Sequence, residues 1–68
     1  MTERAIKARG GSLESSADSA LNAGNLDTAL DRLDEAEDLY LSSNLAEDAK
    51  RVRARIEAVE LRQERRED

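Results

Sequence analysis

The stretch that decides the fold is AGNLDTALDRLDEAEDLY (Ala23–Tyr40). Its apolar residues recur at intervals of three and four, the spacing that places side chains on one face of an α-helix. These residues are Leu26, Ala29, Leu30, Leu33, Ala36 and Tyr40. Asn25 comes directly before them as an N-cap, and Gly24 can adopt the left-handed conformation in which the chain reverses. The stretch therefore predicts a turn followed by an amphipathic helix.

A third helix follows a short polar break at Ser42-Ser43-Asn44. The letters NLAE (Asn44–Glu47) match a capping box, in which Asn44 caps the new helix and Glu47 reaches back to the amide of the cap. Apolar residues then alternate at intervals of four and three, a heptad-like seam. They are Leu45, Ala49, Val52, Ile56 and Val59. The pattern fades at Gln63, and we expect residues 63–68 to form a charged, fraying tail.

The first helix is the least defined, because Gly10-Gly11 interrupts its apolar face at a cost of about 1 kcal/mol per glycine relative to alanine. The face consists of Ile6, Leu13, Ala17, Ala20 and Leu21. Either Ser12 caps a shorter helix after a loose leader, or the helix is long and the glycines lie where another backbone approaches closely. We prefer the shorter helix.

Both connections are short, so neighbouring helices should be antiparallel. The predicted fold is all-α, an antiparallel three-helix up-down-up bundle. Its expected organisation is a leader or helix extension over 1–11, a three-helix module over 12–62 and the tail over 63–68.

Composition excludes several classes of function. The 68 residues include no cysteine and no histidine, so a disulfide framework, a thiolate metal site and the commonest general base are all missing. No apolar run approaches the roughly 18 residues of a membrane span, and Met1–Gly10 lacks the apolar middle of a secretion signal. The net charge of −5 argues against general nucleic-acid affinity. We expect a cytoplasmic, non-enzymatic protein with no cofactor, no metal and no membrane contact.

The stretch Ala23–Tyr40 resembles the turn and second helix of a tetratricopeptide repeat. The similarity rests on Gly24, Leu26, Ala29-Leu30, Leu33 and Ala36. In that family small residues at the positions of Ala29 and Ala36 let paired helices pack closely. Ala17 supplies the small residue of the preceding helix, whereas the two aromatics usual there are replaced by Leu13 and Ala20. The resemblance implies a helical hairpin followed by a third, capping helix.

The last two helices are also similar to those of microtubule-interacting-and-transport (MIT) domains, which are three-helix, repeat-like bundles. The similar segments are AGNLDTALDRLDEAEDLY and AKRVRARIEAVE. MIT domains carry more tyrosines than this chain and usually belong to larger proteins. Either resemblance implies a module that holds peptides or helices in grooves.

Four aspartates recur at intervals of four, three and four and form an acidic stripe beside the leucine face: Asp27, Asp31, Asp34 and Asp38. Residues 27–48 hold eight acids and one base, a balance of −7, so this segment carries the negative charge. The stripe is either a docking face for a basic partner or a solvated face partly neutralised by the third helix, with Arg53 opposite Asp34 as the expected pair. Its helical spacing does not match a calcium-binding loop.

A basic face on the third helix consists of Arg51, Arg55, Arg62 and Arg66. It could contact phosphates, but glutamates interleave with the arginines and no aromatic stacking platform accompanies them. A small regulator of nucleic-acid machinery is therefore an alternative that we consider and do not prefer.

A chain this short buries little core, so self-association or a partner is expected to complete it. Leu39, Leu41 and Leu61 lie off their main seams and are candidates for that surface. We expect a protein–protein interaction module, an adaptor or assembly factor that forms a homodimer and binds a helix or basic peptide through a leucine–alanine groove with an acidic rim. Its candidate contacts are the acidic stripe with Leu39, Tyr40, Leu41 and Leu61. The alternative is a structural subunit that pairs through a coiled-coil-like third helix.

Overall fold

Three helices account for nearly all of the chain. The computed structural model describes residues 2–66, with α1 at Glu3–Asn22, α2 at Leu26–Ser42 and α3 at Ala46–Arg66. Helix α2 packs against both α1 and α3, and the molecule measures 43 × 19 × 12 Å. The predicted antiparallel up-down-up bundle is confirmed. No helix within the described range has the length and apolar character needed to cross a membrane.

Helix α2 begins as its sequence predicts. The side-chain oxygen of Asn25 accepts a hydrogen bond from the amide of Thr28 at 3.3 Å. Asp27 lies in the first turn, where its charge complements the positive end of the helix dipole. The predicted apolar stripe is buried except for Leu30, which is half-buried against the core.

The core forms where the apolar faces of the three helices meet. Ala17 of α1 and the pair Ala29 and Ala36 of α2 have no exposed surface, so these helices approach closely. On α3 the predicted heptad-like seam is buried at Ala49, Val52, Ile56 and Val59. Its first residue, Leu45, is half-buried at the start of the helix.

Helix α1 is continuous through both glycines, so our preference for a shorter helix beginning after Ser12 is wrong. Its N-cap is Thr2, whose hydroxyl accepts from the amide of Ala5 at 3.2 Å. A Cβ placed on Gly10 would overlap the hydroxyl and ring atoms of Tyr40. The close approach therefore involves a side chain of α2 rather than a backbone. Residues 3–11 are a helix extension, not a loose leader.

The two turns use the same device, a residue with positive φ two positions after the end of a helix. Gly24 has φ 79°, as the sequence predicts, and its amide donates to the carbonyl of Leu21 at 3.0 Å. Asn44 has φ 60°, and its amide donates to the carbonyl of Leu41 at 3.2 Å. Helix α3 begins at Ala46, one residue later than a capping box at Asn44 requires. That prediction is wrong, because asparagine also suits the left-handed position that ends a helix.

Helix α3 continues beyond the point where its apolar pattern fades. It is helical through Arg66, so 63–66 of the predicted tail belong to the helix, and the last two residues lie outside the described range. The side-chain amide of Gln63 donates to a carboxylate oxygen of Asp27 at 2.8 Å. This contact connects the end of α3 to the beginning of α2.

Candidate protein-binding surface

The acidic stripe is exposed along its whole length, at Asp27, Asp31, Asp34 and Asp38. It lies on the outer side of α2, away from the buried stripe that faces the core. Asp27 accepts the hydrogen bond from Gln63, so one end of the stripe contacts α3. That the stripe binds a basic partner stays a prediction.

The salt bridge expected between Arg53 and Asp34 forms one turn further along α2, with Glu37. Two parallel hydrogen bonds join the pair, from Nε of Arg53 to Oε2 of Glu37 at 2.7 Å and from Nη2 to Oε1 at 2.6 Å. The hydrogen bonds from Arg53 lower the pKa of the Glu37 carboxyl below its usual value. Asp34 makes no hydrogen bond to Arg53, and its negative charge only helps to raise the pKa of the Arg53 guanidinium. Glu37 is the better partner because its side chain lies closer to the α2–α3 seam, where only 12% of it is exposed.

A groove of about 370 Å³ lies between the end of α2 and the first half of α3. Its apolar lining comes from Leu41, Ala46, Ala49 and Ala54. Its charged lining comes from Glu37, Lys50, Arg53 and Glu57. One leucine and three alanines thus form the apolar lining, charges of both signs border it directly, and the aspartate stripe lies further out on α2.

The four apolar contact candidates separate into two kinds. Leu41 is 55% exposed and Leu61 is 50% exposed, and they are the large hydrophobic residues that α2 and α3 present to solvent within the described range. Leu39 is half-buried against the core. Tyr40 is only 2% exposed, which corrects its assignment to the binding surface. An aromatic residue at the end of an apolar helical stripe can lie in the core or on a contact surface, and the spacing is the same in both cases.

Tyr40 instead belongs to a polar cluster between α1 and α3. Its hydroxyl donates to Oε2 of Glu14 at 3.0 Å, and Nη2 of Arg51 donates to the same oxygen at 2.8 Å. The guanidinium of Arg51 lies 5.8 Å from the centre of the Tyr40 ring, within cation–π range. Arg51 also donates to Asp48 at 2.6 Å. The cluster thus joins all three helices through one buried tyrosine.

Burial raises the pKa of the Glu14 carboxyl, but the hydrogen bonds from Arg51 and Tyr40 outweigh burial and hold this pKa below its usual value. Burial and the hydrogen bond to Glu14 raise the pKa of the Tyr40 hydroxyl. Both shifts favour the charge states that make the cluster, an ionised carboxylate and a neutral phenol. Glu14 was missed in the sequence, although a buried tyrosine hydroxyl requires a partner.

The predicted basic face is partly occupied by contacts within the chain. Arg51 is held by Glu14 and Asp48, and Arg55 pairs with Glu14 at 3.4 Å and with Asp18. Arg62 is exposed, and the side chain of Arg66 lies outside the described residues. Two of the four arginines therefore connect α3 to α1, which makes the face less suited to phosphate.

The part of the chain that the structure describes contains no group of three or more acidic, histidine or cysteine residues placed to hold a metal ion. Its acidic residues Glu14 and Asp18, one turn apart on α1, are neutralised by arginines of α3. Their arrangement therefore serves contacts between helices.

No family model, no curated protein and no solved structure matches the chain. The likeness to tetratricopeptide repeats and to MIT domains therefore stays a prediction, while the three-helix fold is what the structure shows.

Proposed function

We propose that the chain is a small non-enzymatic module that binds a helix or peptide of a second polypeptide in the groove between α2 and α3. The observation that carries this proposal is the exposure of Leu41, at 55%, on the border of an alanine-lined groove. Covering an exposed leucine and the apolar floor beside it removes apolar surface from water, which is the main driving force of association. An amphipathic helix laid in a groove is a common way to do so.

The acidic stripe supports a basic occupant. Leu41 follows Asp38 by three residues and Asp34 by seven, so both carboxylates lie on the same side of α2 as the exposed leucine. Complementary charge accelerates association and rejects like-charged partners. The leucine and alanines would supply affinity, and the aspartates would supply selectivity.

A structural or assembly subunit that self-associates is the second candidate. The observation that favours it is Leu61, which is 50% exposed on α3 and lies outside the lining of the groove. Regulation of nucleic-acid machinery has less support, because Arg51 and Arg55 are engaged by acids of α1.

Site-specific photo-cross-linking tests the proposal in the organism that makes the protein. A photoreactive phenylalanine analogue at position 41 should cross-link to a discrete partner, whereas the same group at Ser15, exposed on α1, should not. The Leu41→Gln substitution should weaken binding of the captured partner and leave the thermal unfolding midpoint nearly unchanged. Equal cross-linking from positions 15 and 41 would contradict the proposal.

A further inference from the structure

The outer face of α3 carries a second stripe, on the side of the helix away from its buried seam. Its members follow one another at intervals of four, four, three and four, and all are exposed. They are Ala46, Lys50, Ala54, Glu57 and Leu61. This spacing places them on one helical face about 22 Å long at 1.5 Å per residue. Four of these five members also line the groove beside Leu41, the exception being Leu61.

The stripe is complementary to itself when two copies run in opposite directions. With the centre of the pairing beside Ala54, Lys50 of one copy lies opposite Glu57 of the other, and Ala46 lies opposite Leu61. A two-fold axis repeats each of these contacts, as in any isologous dimer. The same pairing in parallel orientation would place lysine on lysine and glutamate on glutamate, which is unfavourable.

The antiparallel arrangement also covers both exposed leucines at once. Leu61 of one copy arrives at Ala46 of the other, which is the end of the groove that Leu41 borders. Each copy therefore gives one leucine and receives one. Ala54 lies at the axis, where a small side chain permits close approach of two helices.

The charges on this face are available for such contacts. Within residues 2–65, the salt bridges do not include Lys50 or Glu57. Arg53, the other charged residue near the centre, is held by Glu37 on the α2 side. The centre of the stripe therefore consists of Ala54, with Lys50 on one side and Glu57 on the other, both available for contacts with another molecule.

We propose that the helix bound by the groove is α3 of a second copy of this chain, paired antiparallel about Ala54 with Leu61 inserted beside Leu41 of its partner. This inference rests on the proposed function, since it names the occupant of the same groove. The interface is small, so the dimer is weak, with a dissociation constant of about 10–100 µM.

Engineered thiols test the geometry, because the chain contains no cysteine of its own. Ala54→Cys places the two thiols of a dimer together at the axis, so mild oxidation should produce a disulfide-linked dimer. Ser15→Cys, exposed on α1, is the matched control and should stay largely reduced. Leu61→Cys separates parallel from antiparallel pairing, because only a parallel dimer brings the two residues 61 together. Cross-linking of Leu61→Cys in preference to Ala54→Cys would overturn the inference.

Charge exchange tests the same pairing without a covalent bond. In sedimentation equilibrium, Lys50→Glu and Glu57→Lys should each weaken dimerisation by roughly tenfold, because each places two pairs of like charges across the axis. The double variant should recover most of the affinity, and a mixture of the two single variants should form heterodimers. A double variant no tighter than either single variant would overturn the pairing.

The two proposals fail in different ways. A chain that stays monomeric at concentrations well above the expected dissociation constant, and that cross-links from position 41 to a different protein, overturns the dimer and leaves the proposed function standing. Absence of any cross-link from position 41, to a second copy or to another protein, overturns both.

Discussion

Tyr40 and Leu41 are neighbours in the sequence, yet the molecule treats them in opposite ways. Tyr40 is 2% exposed, with its hydroxyl bonded to Glu14 and its ring beside Arg51. Leu41 is 55% exposed, on the border of a groove that the chain leaves open. The bundle completes the side of α2 that faces α1 with its own residues. The opposite side, next to α3, is the part suited to contact with another polypeptide.

The largest expected contrast comes from truncating these two neighbours. Tyr40→Ala should lower the free energy of unfolding by about 3–5 kcal/mol, because it leaves a cavity and removes one of the hydrogen-bond donors to Glu14. Leu41→Ala should change it by less than about 0.5 kcal/mol, as is usual for exposed positions. Urea unfolding followed by circular dichroism measures both. Similar losses in the two variants would mean that Leu41 supports the fold as much as Tyr40 does.

The two adjacent glycines offer a second matched pair. Gly10→Ala places a methyl group against the Tyr40 ring and should destabilise by about 1–2 kcal/mol, the cost of overpacking less the gain in helix propensity. A methyl group on Gly11 would have no heavy atom within 4 Å, so Gly11→Ala should stabilise by about 0.5–1 kcal/mol. Thermal unfolding of the two variants measures the difference. Stabilisation by both would show that the ring moves aside without cost.

Acidification should weaken the contacts that Glu14 makes on the side of α2 that faces α1. The folded-state pKa of this carboxyl is lowered from its usual 4.5, so its contribution to stability is complete above pH 4.5 and is lost as pH falls through the folded value. Glu14→Gln should lower the free energy of unfolding by about 1–2 kcal/mol at pH 7. The difference from the parent should shrink below pH 4.5. A constant difference across the range would contradict an ionised Glu14 in the cluster.

The smallest effect is expected from the salt bridge between Arg53 and Glu37, on the side of α2 next to α3. Glu37→Gln removes the charged partner of Arg53 alone, and the Arg53 side chain is 50% exposed. Glu14 accepts hydrogen bonds from three side chains, so the loss for Glu37→Gln should be smaller than for Glu14→Gln. Asp31→Asn, at an exposed position of the same helix, serves as the control for the change in net charge. Parallel unfolding curves at low and high salt make the comparison. An equal loss in the free energy of unfolding for Glu37→Gln and Glu14→Gln would contradict the distinction between the side of α2 that faces α1 and the side next to α3.

Much of the fold could be predicted from local patterns. The spacing of Leu26, Leu33 and Val52 identifies faces that the structure buries, and Asn25 and Gly24 mark the first turn correctly. These features depend on residues near one another in the chain. Their physical causes, helix periodicity and capping, act over a few residues.

The errors arise where a distant residue decides the outcome. Gly10 weakens a helix locally, but the ring of Tyr40, which comes much later in the chain, packs against it, and α1 stays continuous. Asn44 suits both the start and the end of a helix, and only the backbone around it selects one. The partner of Arg53 depends on the relative register of α2 and α3, which a shift of one turn would change from Glu37 to Asp34.

The contact between Gly10 and Tyr40 also fixes the position of α1 along the axis of α2. A slip of α1 by one turn would bring Ile6 or Glu14 opposite the Tyr40 ring, and each carries a Cβ where the ring allows only hydrogen. The missing methyl group therefore acts as a notch that accepts one alignment of the hairpin. Two helices with otherwise repetitive alanine and leucine faces are held in a single position by the smallest side chain in the sequence.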